Sequence, residues 1–347
     1  MRRLLTLLLL TQLALPAAFG WGAHMHRTLS YLALDGLPTD APEWLRDPAV
    51  RGRIAFESNQ PDHWRSWNSP VLRHENEPEH YLDVELLAQF DLNLESLPRL
   101  RNEYLRALVI AKHTHPDKVD PYDPDKDPAR THEWPGFLPY AIAEHYARLQ
   151  AAFNQVRILE QLHDPARREQ LAEARAIAVY HAGQLSHFVA DVAQPLHTTK
   201  HYNGWVGDNP AGYKWRGKFH LYIDDGFAEK HGIGYESLKP VVKLDARINA
   251  ADPWDDVLRY VQRSFAQVEP LYALERDGKL DGDEGRKLIV GRLSDAAALV
   301  SAMISAAYTS SAPTEEQVKS WVKYDAPDAE RRPPDSAPAT TPAPRRD

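Results

Sequence analysis

The chain has no cysteine among its 347 residues. That rules out a disulfide framework, and no thiolate is available as a nucleophile or metal ligand. Any zinc must therefore sit on nitrogen and oxygen. Positive charge is also in short supply: 41 Lys and Arg stand against 49 Asp and Glu, a net charge of −8. This argues against a protein that grips polyanions through a broad basic face. It leaves phosphate chemistry open, because bound metal ions can supply positive charge on an acidic body. Long apolar runs are scarce, and the one at residues 4–15 is too short to span a bilayer with ease. Convincing runs of alternating polar and apolar residues are missing, which argues against a sheet.

What is present begins with a targeting segment. Arg2 and Arg3 precede the apolar run, Pro16 breaks it, and Ala18-Phe19-Gly20 places small residues where a signal peptidase reads. Residues 1–20 are expected to be a signal peptide cut between Gly20 and Trp21, giving a secreted or periplasmic protein. An uncleaved anchor is the other reading. Apolar stripes at helical spacing run from about Leu138 to Leu162, Leu171 to Val192, Val257 to Ala273 and Arg286 to Tyr308. The spacing predicts an all-α fold, a single compact multi-helix domain over residues 21–312. Residues 115–136, dense in Pro, Asp and Lys, read as a loop between helices. Residues 313–347 read as an extension, disordered from about 325 where composition becomes simple.

Sixteen histidines are unevenly placed. His187 and Asp191 are four apart in a predicted helix and so share a face, and His220 and Asp224 repeat that spacing. His197 lies just past Pro195, where the second helix must stop. A histidine and a carboxylate on one helical face can present nitrogen and oxygen to zinc. They can equally form a surface ion pair. The His187 helix is apolar on nearly every side, and a buried histidine–carboxylate pair demands a partner or a metal. Upstream, Asp62 in Gln60-Pro61-Asp62-His63-Trp64-Arg65 reads as a metal-site residue or a polar turn. His80 in His80-Tyr81-Leu82-Asp83 reads as a ligand or a loop edge.

Taken together, Trp21-Gly22-Ala23-His24-Met25-His26, His80-Tyr81-Leu82-Asp83, the segment His187 to His197 and the segment His220 to Asp224 resemble a zinc-hydrolase superfamily. Its branches are the single-strand-specific nucleases of the S-one/P-one type and the bacterial zinc-dependent phospholipases C. The resemblance covers Trp21 to about Tyr308 and implies three Zn2+ ions in a cleft. Asp62, His80, His187 and Asp191 would hold one. His197, His220 and Asp224 would hold a second. The α-amine and carbonyl of Trp21, His26 and the other oxygen of Asp191 would hold the third. An α-amine with a pKa near 8 releases its proton to a metal at modest cost, and it is free only after cleavage before Trp21.

The same resemblance implies phosphodiester hydrolysis through a metal-activated hydroxide, oriented by Asp62. Arg65 would bind the phosphate through its planar guanidinium. Tyr81 would stack on a base and Asp83 would bond its edge. Arg65, the 23-residue step from His197 to His220 and aspartate at 224 lean toward the nuclease branch, with single-stranded nucleic acid as substrate. A phospholipase C acting on phospholipid is the alternative, and a non-catalytic zinc-binding protein the third reading. No stable protein partner is expected. The chain departs from the nucleases in a longer stretch between His80 and His187, in Met25 and His24, and in Asn203-Gly204-Trp205-Val206-Gly207-Asp208. Loops form the rim of such a site, so these departures bear on substrate preference.

Overall fold

The computed structural model describes residues 21–213 and 217–324. The expected signal peptide and the tail from 325 lie outside the described residues. The all-α expectation holds: the described residues contain no strand, and only an isolated bridge between Leu82 and Gly136.

The chain opens with α1 (Ala23–Asp35), α2 (Pro48–Glu57), α3 (Gln60–Ser66) and α4 (Pro70–Asn76). Two of these starts are set locally. Asp47 accepts from the amides of Ala49 and Val50 ahead of Pro48, and Ser69 accepts from Leu72 ahead of Pro70. After α5 (Arg101–Thr114) come the two long core helices, α6 (Leu138–Leu162) and α7 (Arg168–Ala193). They pack along each other, and α7 also carries α2 and part of α1. Next come α8 (Phe219–Leu221), a π-helical turn at Tyr222–Gly226, α9 (Phe227–Lys230) and α10 (Tyr235–Leu238). α11 (Trp254–Phe265), α12 (Val268–Arg276), α13 (Asp283–Thr309) and α14 (Glu315–Tyr324) complete the body. The stripe from Val257 to Ala273 is therefore two helices. Pro270 cannot follow a helical Ala266, because its ring would meet that carbonyl, and the helix breaks at Ala266–Gln267. The extension after residue 312 begins with α14, whose Trp321 packs beside Trp44 and Val156.

The last half of α7 positions the site. From Ala182 to Ala193 every side chain is buried, the polar ones included. Leu185, Phe188, Val189 and Val192 enter one core cluster, with Tyr140, Tyr146 and Leu299. Ala190 and Ala193 enter another, with Trp21, Met25, Leu29 and Phe219. Between these apolar faces runs a polar stripe of Gln184, His187 and Asp191, spaced three and four apart. Gly183 lets α2 approach this stretch. A Cβ there would lie 2.3 Å from Glu57 Cβ and 2.9 Å from the Ile54 carbonyl oxygen.

Candidate metal centre

Eight side chains predicted as ligands are brought into one buried region by several local elements. His187 and Asp191 come from α7, and His26 from α1. Asp62 and Arg65 lie on the inward face of α3, both nearly inaccessible. His80 ends a 3-10 turn at Glu77–His80, and His197 sits in another at Pro195–Thr198. His220 lies in α8 and Asp224 in the π turn that follows. Such π turns are rare and recur at functional sites.

The Asp191 carboxylate is the hub. Its Oδ1 lies 3.4 Å from His26 Nε2, while its Oδ2 lies 3.2 Å from His187 Nε2. Asp62 Oδ1 is 3.7 Å from His80 Nε2 and 2.9 Å from Arg65 Nη2. The rings of His26 and His187 stack at 4.2 Å, and those of His197 and His220 meet edge-on at 4.6 Å. His220 Nε2 stands 3.4 Å from Asp224 Oδ2. Ligand atoms of His80, His187 and Asp191 lie within 4.8 Å of one another, as do those of His197, His220 and Asp224, and those of His26, Asp62 and His187. These buried groups could hold metal ions.

The hydrogen bonds around the histidines test that fit. His187 Nδ1 bonds the Ser58 carbonyl at 2.8 Å, and His80 Nδ1 bonds the Asn76 carbonyl at 2.9 Å. His197 Nδ1 bonds the His80 carbonyl. Donating from Nδ1 to a carbonyl fixes the tautomer and leaves Nε2 as a bare lone pair. In all three, Nε2 is buried and makes no hydrogen bond; the same holds for both nitrogens of His26 and His220 and for Asp224 Oδ2. Buried polar atoms left unsatisfied are costly, and their convergence here is what a cation relieves.

At His187 burial is outweighed by Asp191, which raises its pKa; at the other imidazoles the electrostatics favour the neutral form. Burial, reinforced by Arg65, holds His80 well below its ordinary pKa, and burial with His197 does so for His220. Burial also lowers His26 and His197, so these imidazoles are neutral donors near pH 7. Burial opposes ionisation of Asp191, yet His187 and His197 hold its carboxyl well below the usual range. Burial pushes Asp224 well up, against a hydrogen bond from Gln194. A carboxyl in that state needs an added positive charge to ionise.

Trp21 is fully buried, and its indole Nε1 donates to the Ala190 carbonyl at 3.0 Å, one residue before Asp191. The Gly22 amide donates to the Asp224 carbonyl at 3.3 Å. A Cβ on Gly22 would lie 1.3 Å from Asp225 Oδ1, so the exposed Asp225 side chain would have to turn away. Tyr81 and Asp83 flank the site; burial, with Glu85, raises the Asp83 carboxyl well above its ordinary pKa. Sequence reasoning missed Gln194, whose Nε2 donates to Asp224 Oδ1 at 2.7 Å while its Oε1 caps Leu196 at 2.6 Å. The only local signal for it was a glutamine before proline at a buried helix end. Residues 115–136, read from the sequence as a loop between helices, carry no helix in the structure. They fold back onto the site: Tyr81 Oη donates to the Thr131 carbonyl at 2.5 Å, and the Asp83 amide to Pro135 at 2.7 Å.

No family model and no curated protein matches the chain.

Proposed function

We propose that this chain is an exported zinc-dependent phosphodiester hydrolase that cuts single-stranded nucleic acid. The observation that carries the reading is a buried arginine, Arg65, set 2.9 Å from Asp62 inside a histidine–carboxylate cluster with unsatisfied nitrogens. A guanidinium in that position matches two phosphate oxygens, and imidazole with carboxylate is the donor set that suits zinc. On this reading Asp62, His80, His187 and Asp191 hold one ion, and His197, His220 and Asp224 a second. Trp21, freed by cleavage after Gly20, joins His26 and Asp191 around a third. The two oxygens of Asp191, facing His187 and His26 separately, support its use as a bridge.

Bound zinc supplies Lewis acidity and a water of lowered pKa. The chain's residues do the rest. Asp62 accepts a hydrogen bond from the attacking water and aligns it, while Arg65 holds phosphate oxygens and the charge that grows on them. Gln194 keeps Asp224 turned inward. No protein nucleophile is required, in keeping with the absence of cysteine.

Release of acid-soluble nucleotide from single-stranded DNA by the zinc-loaded chain, set beside phosphocholine release from lipid, tests the substrate. Turnover of neither by fully loaded protein ends the enzymatic reading. A lipid substrate has one observation in its favour. Trp67, Val71 and Phe56, on or beside α2–α4, are 68%, 80% and 54% exposed, the kind of apolar surface that meets a bilayer interface. Faster lipid turnover would make the chain a phospholipase C.

A further inference from the structure

His132 belongs to the segment between α5 and α6, yet its imidazole lies against the site. Its ring is stacked on Tyr81, centroids 5.3 Å apart and planes 26° off parallel. It is also stacked on Tyr202, at 6.1 Å and 4°. Tyr202 in turn meets the ring of His220 edge-on at 6.0 Å. One flat heterocycle is thus flanked by two tyrosines, a single ring away from a ligand of the metal centre.

The backbone that carries His132 is tied down. Its amide donates to Asp127 Oδ2 at 2.8 Å, and the preceding carbonyl, Thr131, accepts from Tyr81 Oη. The side chain is less committed. It is 44% exposed, and its closest charged partner is Glu77, with Oε1 at 3.9 Å from Nε2, too long for a hydrogen bond. Rotation about its side-chain bonds would move the ring out to water without disturbing the segment. Exposed rotamer changes of this kind are fast.

Resting on the phosphodiesterase reading above, with Tyr81 as the expected base-stacking ring, we infer that His132 occupies the place of that base in the slot between Tyr81 and Tyr202 until substrate displaces it. The near-parallel ring planes favour a planar heterocycle, such as a nucleobase, over a rounded ammonium group. The imidazole acts as a built-in competitor: a ring must outbid it to stack, and a substrate without a ring gains nothing by moving it. Selectivity for base-bearing chains is thereby set in part by a residue that contacts neither metal ligand nor phosphate.

The test uses the zinc-loaded full chain and two single-stranded oligonucleotides, one ordinary and one abasic at the scissile position. His132→Ala should lower the ratio of KM for the ordinary strand to KM for the abasic strand by about three- to tenfold, the worth of one aromatic stack. Tyr202→Ala should raise that ratio. Calorimetric binding of adenosine monophosphate gives a readout independent of turnover, and His132→Ala should tighten it by the same factor. An unchanged ratio together with unchanged nucleotide binding overturns the slot. A gain in affinity for phosphocholine instead of the nucleotide overturns the assignment to a flat ring. Failure of the wild-type chain to cut either strand counts against the phosphodiesterase reading, while the binding measurement still decides the fate of His132.

Discussion

On the metal-centre reading, removing metal should cost this protein a large part of its stability, and the number of separate clusters scales the effect. The clusters His80–His187–Asp191 and His197–His220–Asp224 share no residue, so two ions can contribute separately. An ion that binds only the folded chain, at about a hundredfold excess over its Kd, stabilises it by about 2.7 kcal/mol. Two such sites give about 5 kcal/mol. For a domain of this size each kcal/mol moves Tm by roughly 2–4 °C, so chelation and dialysis should lower Tm by roughly 10–20 °C. The buried Nε2 atoms of His80, His187, His197 and His220 have no hydrogen bond to fall back on, so the loss is not recovered by local rearrangement. Differential scanning fluorimetry, with metal content measured on the same samples, reads the effect. Zinc should restore Tm, and magnesium or calcium should not, since they favour all-oxygen sites. An unchanged Tm in metal-free protein, or equal rescue by calcium, would refute the reasoning.

Other outcomes follow from single positions. Gly183→Ala places a methyl group 2.3 Å from Glu57 Cβ and should cost about 1–3 kcal/mol in urea unfolding, loosening Ser58 from His187 and weakening metal retention; a variant as stable as the parent would show that α2 can shift freely. His145, stacked on Phe188, is held down to about 3, first by burial and then by Arg148, His181, Arg101 and His187. Since its folded value lies below the ordinary 6.5, the unfolded chain takes up more protons as pH falls. Stability is intact above 6.5 and declines below it, by about 1 kcal/mol per pH unit from this residue. His145→Phe should flatten the stability profile between pH 6.5 and 4, and an unaltered slope would exclude His145 as its source. Finally, one extra residue before Trp21 should remove one metal equivalent, read by elemental analysis; full loading with the added residue would exclude the α-amine as a ligand.

Much of the fold was legible because its signals are local. The bounds of α6 follow directly from its stripe, and α7 and α13 extend theirs by only a few residues. The starts of α2 and α4 are also set locally, by Asp47-Pro48 and Ser69-Pro70, although the apolar stripes do not mark them. The division between α11 and α12 was also written locally, in Pro270, but a continuous apolar stripe hides it. In the site, spacing alone put His187 with Asp191. It did not reveal the π turn under Asp224, because an extra residue in a helical turn leaves no compositional mark. Nor could it place His132 on Tyr81 or Gln194 on Asp224, contacts across 51 and 30 residues that exist only once the body is packed.

The reciprocal bonding of two ligand-bearing segments has a consequence for how the centre is made and lost. His197 Nδ1 bonds the His80 carbonyl, and the Leu82 amide returns a bond to the His197 carbonyl at 2.9 Å. This clasp joins positions 117 residues apart, so forming it closes a long loop and carries that entropic cost. It also joins one cluster's histidine to the other's. Opening it would loosen one histidine of each cluster together, so hydrogen exchange at the Leu82 amide reports on both clusters at once.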